Sequence, residues 1–137
     1  MPRIEQFTIL SAKASTGIGN VMDVASFDFV VLSVGTASSA NLTMKAVGAA
    51  TNVVPVFTDA QSITNQYDFL HLYDMENIST NLPAMVRGDT GFAPAGTDDF
   101  RLFRVDVRGL KWLNLRVTAR SAGNVTVYAR GISLGSQ

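Results

Sequence analysis

Between Leu113 and Arg120 apolar and polar residues alternate without a fault. Leu113, Leu115, Val117 and Ala119 share one side; Asn114, Arg116, Thr118 and Arg120 share the other. Only an extended chain puts every second side chain on one face, so this run is a strand with one buried and one wet surface. The alternation resumes after Ser121-Ala122-Gly123-Asn124, with Val125, Val127 and Ala129 opposite Asn124, Thr126, Tyr128 and Arg130. Glycine takes a positive φ at no steric cost, so the interruption reads as a turn and the two runs as a C-terminal β-hairpin.

The same grammar extends upstream. Arg101 to Val107 forms a strand with Phe103, Val105 and Val107 inward, closed by a tight turn at Arg108-Gly109. Phe27 to Val34 is nearly all apolar, the pattern of a central strand covered on both faces. Gly35 to Ser39 breaks it, Leu42 to Val47 alternates again, and Gly48-Ala49-Ala50 leads to Val53–Phe57. Shorter strands at 7–13 and 21–24 flank a turn through Ser15–Asn20. Residues 58–74 fit a helical face (Ile63, Tyr67, Leu70) and equally a strand face (Tyr67, Phe69, His71, Tyr73). Their aromatic enrichment favours a strand over Gln66–Asp74, preceded by a short helical turn. Arg87 to Asp99, with three glycines and Pro94, is a surface loop. Strands about eight to twelve residues apart, divided by Gly and Ser, predict an all-β fold. We expect a single antiparallel β-sandwich domain, jelly-roll-like, over residues 13–134. Residues 1–12 are expected to form an extended N-terminal arm or edge strand.

Composition excludes several classes of function. Of 137 residues, 47% are hydrophobic and 16% charged, the reverse of a disordered chain. Eleven cationic and eleven acidic side chains cancel, which argues against nucleic acid or an anionic membrane as partner. No apolar run approaches the roughly 20 residues of a membrane helix. The opening lacks the layout of a signal peptide. With no cysteine, this is not a disulfide-built module. A surface so poor in charge suits a protein packed against other copies.

Chemistry-bearing motifs are sparse. The one histidine, His71, has Asp68, Asp74 and Glu76 nearby, but in a strand it points away from Asp74. No nucleophile elbow or cysteine nucleophile is present, and we expect no catalytic, cofactor or metal residues. Gly17-Ile18-Gly19 lacks the third glycine and the helix of a dinucleotide fingerprint, and reads as a turn. Asp89 with Asp98-Asp99 does not match the spacing of a calcium loop. Arg87-Gly88-Asp89, the tripeptide of integrin ligands, is ordinary turn chemistry. The sequons at Asn41, Asn77 and Asn124 are the coincidences of an Asn- and Thr-rich β chain. Arg116, Arg120 and Arg130 would line the outer face of the hairpin as a basic stripe. A sugar-binding module would need exposed aromatics in a groove, with Tyr67, Tyr73 and Trp112 as candidates.

One resemblance spans much of the chain. It is carried by Gly88-Asp89-Thr90-Gly91-Phe92, Gly96-Thr97-Asp98, the run from Phe103 to Leu113, Arg116-Val117-Thr118-Ala119 and Ala122-Gly123-Asn124-Val125-Thr126-Val127. The opening from Gly17 to Thr43 joins it, with a turn, a short strand, and an aromatic–valine strand into a Ser/Gly break. Together these segments resemble small virion proteins of tailed phages, the capsid decoration and head or tail accessory proteins. The resemblance implies a β-sandwich, often trimeric, with no catalytic residues. The sequence departs from that pattern after Met44, where Val47-Gly48-Ala49-Ala50 replaces a polar turn, so no sugar-binding use of that loop follows. The implied function is that of a non-enzymatic structural protein, a decoration or cement protein in the virion, assembled in the host cytoplasm. Its partners would be other copies of itself and the major capsid or other virion proteins. The expected contact residues are Arg3, Ile4 and Phe7 of the arm, and Arg87, Asp89 and Phe92 of the 87–99 loop. A tail-associated carbohydrate-binding module is the alternative.

Overall fold

The computed structural model describes residues 5–75, 84–96 and 98–134. These hold nine strands and no helix: β1 (Glu5–Lys13), β2 (Gly17–Ile18), β3 (Met22–Asp23), β4 (Phe29–Ala49), β5 (Asp68–Leu70), β6 (Leu72–Asp74), β7 (Ala84–Val86), β8 (Phe100–Asp106) and β9 (Trp112–Ile132). All pairings are antiparallel within one sheet, in the order β1-β9-β4-β8-β6-β7, with β2 and β3 on β9 and β5 on β4.

The two central strands, of 21 residues each, make the architecture. Straight, each would span about 70 Å, against a radius of gyration of about 14 Å for a domain of this length. They must bend, and they bend together. β4 and β9 pair from Phe29↔Ile132 to Ala49↔Trp112, with the register slipping only between Ala37 and Met44. At this corner Ser38, Ser39 and Gly123 take φ of 63°, 56° and 75°. Asp98 supports it by accepting the Ser39 amide at 2.8 Å.

Beyond the corner the sheet lies back on itself, so one sheet supplies both layers of a β-sandwich. The first layer runs β1, β9 (124–132), β4 (29–37), β8, β6, β7; the second holds β2, β3, β9 (112–122), β4 (41–49) and β5. Val30, Leu32 and Val34 from one half of β4 join Met44 and Ala46 from the other in one core, with Leu113, Leu115, Val125, Val127, Phe103 and Val105. For β8, β9 and the second half of β4 this alternation is the one read from the sequence; for Val30, Leu32 and Val34 it emerges only in the structure.

Several local expectations change. The C-terminal segment is not a hairpin, since its halves pair with β4 and not with each other. Gly35 to Ser39 likewise does not end a strand but leads into the corner. Gly17-Ile18 is not a turn but β2, paired with Val117 and Arg116. The expected strand over 66–74 forms as β5 and β6, parted at His71, and no helical turn precedes it. The N-terminal segment is an edge strand of its own chain, with Ile9 and Leu10 at 1% exposure.

Residues 50–67 cover the outer face of the second layer. Phe57 and Tyr67 pack there on Val47 and Ala49, beside Val21, Phe69 and Trp112. Polar contacts hold this cover down. The Tyr67 hydroxyl donates to Asp59 O at 2.8 Å, Trp112 Nε1 to Thr51 O at 3.0 Å and Arg116 Nη1 to Phe57 O at 3.1 Å.

Carboxylates tie the chain's ends and turns. Asp28 accepts the Leu134 amide at 2.6 Å and Arg108 Nε at 2.9 Å, and these two bonds, in that order of weight, hold its pKa below 3.8. Asp23 is lowered likewise by Lys111 Nζ at 2.8 Å and the Ala25 amide at 3.0 Å. A carboxylate whose pKa is lower folded than unfolded adds stability that is complete above the unfolded value and is lost as pH falls through the folded one. The melting temperature is therefore expected to be level at neutral pH and to fall from about pH 5 downward. Asp28→Asn should melt lower at neutral pH and lose less on acidification.

Candidate functional site

Among the described residues, the outer face of the first layer has no such cover. Pleating sends alternate side chains outward, and pairing aligns them in rows across the strands. One row runs Met85 (β7), Tyr73 (β6), Arg104 (β8), Val31 (β4), Arg130 (β9), Gln6 (β1). The next runs Leu102, Ser33, Tyr128, Thr8. Flanking rows are Asp106, Phe29, Ile132 on one side and Phe100, Gly35, Thr126 on the other. Phe100 is 61% exposed, Met85 49%, Tyr128 44% and Leu102 37%.

The charges on this face are Arg104, Arg130 and Asp106, and Arg104 is laid against rings. Arg104 lies 5.3 Å from the Tyr73 ring centre and 6.0 Å from that of Phe29, with Asp106 3.4 Å from its Nε. Arg130 Nη2 donates to Gln6 Oε1 at 3.3 Å. Between Gln6, Val31, Ser33, Tyr128 and Arg130 lies a shallow hollow of about 330 Å³. Aromatic, Met and Arg side chains with little Lys or Glu are the composition of a protein–protein contact.

The contact residues expected from sequence lie elsewhere. Arg3 and Ile4 fall outside the described residues. Phe7 is half-buried against the main core. Arg87 and Asp89 stand exposed, paired with each other at 3.0 Å. His71 is exposed, and its Nδ1 accepts the Gly88 amide at 3.0 Å, pinning that turn. Phe92 is 8% exposed, its ring 5.3 Å from Phe103 and its backbone bonded both ways to Met44, so it serves the core and gives a partner almost no surface.

The other candidate groups are separated in the same way. Tyr67 is buried and Trp112 half-buried in the second layer's cover, while Tyr73 lies on the first layer, so the three form no groove. The basic stripe divides at the corner: Arg116 bonds to the cover, Arg120 donates to Gly123 O at 3.0 Å, and Arg130 points out from the first layer. Asp74 is buried beneath Arg101 at 2.6 Å, and Asp99 holds Arg101 Nε at 3.0 Å. Among the described residues no three His, Cys, Asp or Glu side chains come together as a metal site.

The open face was half visible in the sequence. The apolar run Phe27–Val34 reads as a strand covered on both sides, and the described residues cover it on one side only.

No family model and no curated protein matches the sequence. Solved structures do match the fold. The SPBc2 prophage-derived protein YomS superposes with a TM-score of 0.67 at 14% identity, over 97% of this chain and 96% of that one. The PBSX exported protein XepA superposes with a TM-score of 0.69 at 12% identity over 96% of this chain. The match takes in 38% of the longer XepA chain. The chain thus shares the fold of YomS over nearly the whole length of both proteins.

Proposed function

We propose that this chain is a non-enzymatic structural protein of a tailed-phage particle, a decoration or cement protein that binds the capsid shell as an oligomer. The observation that carries the reading is the fold shared end to end with a prophage-derived protein. The quoted resemblance to phage virion proteins agrees with it, and the uncovered aromatic and arginine face supplies a contact surface of the kind such a role needs. On this reading the protein is built into virions in the host cytoplasm, and its work is contact rather than chemistry.

The test is to add purified protein to shells assembled without it, and to sediment them. The protein should pellet with the shells and saturate at a fixed ratio. Protein that stays in the supernatant at micromolar concentration would contradict the reading. A chain lacking residues 1–4 examines Arg3 and Ile4. Deletion through residue 9 would strip Ile9 from the core and confuse folding with binding.

A further inference from the structure

Among the described residues, the second layer carries its own cover and the first does not. The bare face is crossed by β4, and its large side chains include Phe29, Tyr73, Phe100, Leu102 and Tyr128, around Arg104 and Arg130. We propose that this face is covered by the same face of a second copy, about a twofold axis that crosses β4 between Val31 and Ser33. The proposal deepens the oligomeric part of the function above and is independent of the shell.

Charge decides the orientation. Sheets pack face to face about 10 Å apart with strands nearly aligned, and a self-paired face needs a twofold. An axis along β4 would exchange β8 with β9 and set Arg104 over Arg130 of the partner subunit, like charge on like. An axis across the strands keeps each strand over its own copy and exchanges the rows. Arg130 then meets Tyr128 of the partner subunit in a cation–π contact, and Arg104 meets the aliphatic Leu102 of the partner subunit.

Shape agrees on β4, where Phe29 meets Gly35 of the partner subunit. A Cβ added to Gly35 would find only the Phe100 ring, at 3.9 Å, so the position is not crowded. A face consumed by one partner closes at two copies, unlike the trimer implied by the resemblance.

Leu102 tests the register, since either charge at this exposed outward position leaves the core intact. The wild-type mass in solution, by sedimentation at micromolar concentration without shells, should be twice that of the chain. Leu102→Arg would face Arg104 of the partner subunit and should raise the dissociation constant about tenfold or more. Leu102→Glu would face the same arginine and should keep the dimer, with both variants melting near the wild type. A wild-type protein that is monomeric or trimeric overturns the proposal. So does a dimer that ignores both substitutions, or one that both dissociate. Failure to bind shells leaves it standing, because no shell enters this measurement.

Discussion

Gly123→Ala is expected to destabilise the fold by about 3 kcal/mol, lowering the melting temperature by roughly 10 °C. Two costs add. A left-handed conformation, here φ 75°, strains a residue with a Cβ by about 1 kcal/mol. The new Cβ would also sit 2.4 Å from Ala40 Cα and 2.6 Å from the Ala37 carbonyl oxygen, atoms of the opposing backbone at the corner. Overpacking against groups that cannot rotate away costs about 1–3 kcal/mol more. Gly109→Ala isolates the first cost. Its φ is 88°, and a Cβ there meets nothing within 4 Å, so the loss should be about 1 kcal/mol. Equal losses in thermal unfolding would mean that close packing of the corner is not what requires Gly123.

Val117→Asp should be worse still, costing about 4 kcal/mol or more and leaving little folded protein. Val117 is 1% exposed in the main core, where a carboxylate would have neither water nor a partner. Thr118→Asp, the next residue, points to the other side of β9 and is half-buried, so its cost should stay under about 1 kcal/mol. Comparable damage from both, by urea unfolding, would mean that β9 is closely packed on both faces here and that its register does not separate a core side from an outer one.

These positions also mark how far the sequence could be read. The inward sets Leu113-Leu115-Val117 and Phe103-Val105-Val107 were legible because period two has no other structural meaning. What Ser121–Asn124 does was not. A hairpin turn and a bent strand both need a left-handed residue such as Gly123, and both interrupt the alternation in the same way. The difference lies in the partner: each half of β9 pairs with β4, whose residues are 63 to 103 positions away. No local pattern records that.

The candidate site was harder to read than the fold. Arg87 and Asp89 drew notice as a motif, yet they only pair with each other. The open face is assembled from six strands scattered along the chain, and its arginines look ordinary until Arg104 is seen between Tyr73 and Phe29. Phe92, in a Gly-rich segment, looked exposed because composition marks a loop but does not say which of its side chains turn inward.

Electron microscopy of particles carrying and lacking this protein tests the central claim most directly. Averaged images should differ by discrete, regularly placed density on the shell, each feature the size of a small oligomer of this chain. Particles that look the same with and without the protein, at equal abundance of the shell subunit, would contradict a structural role in the virion.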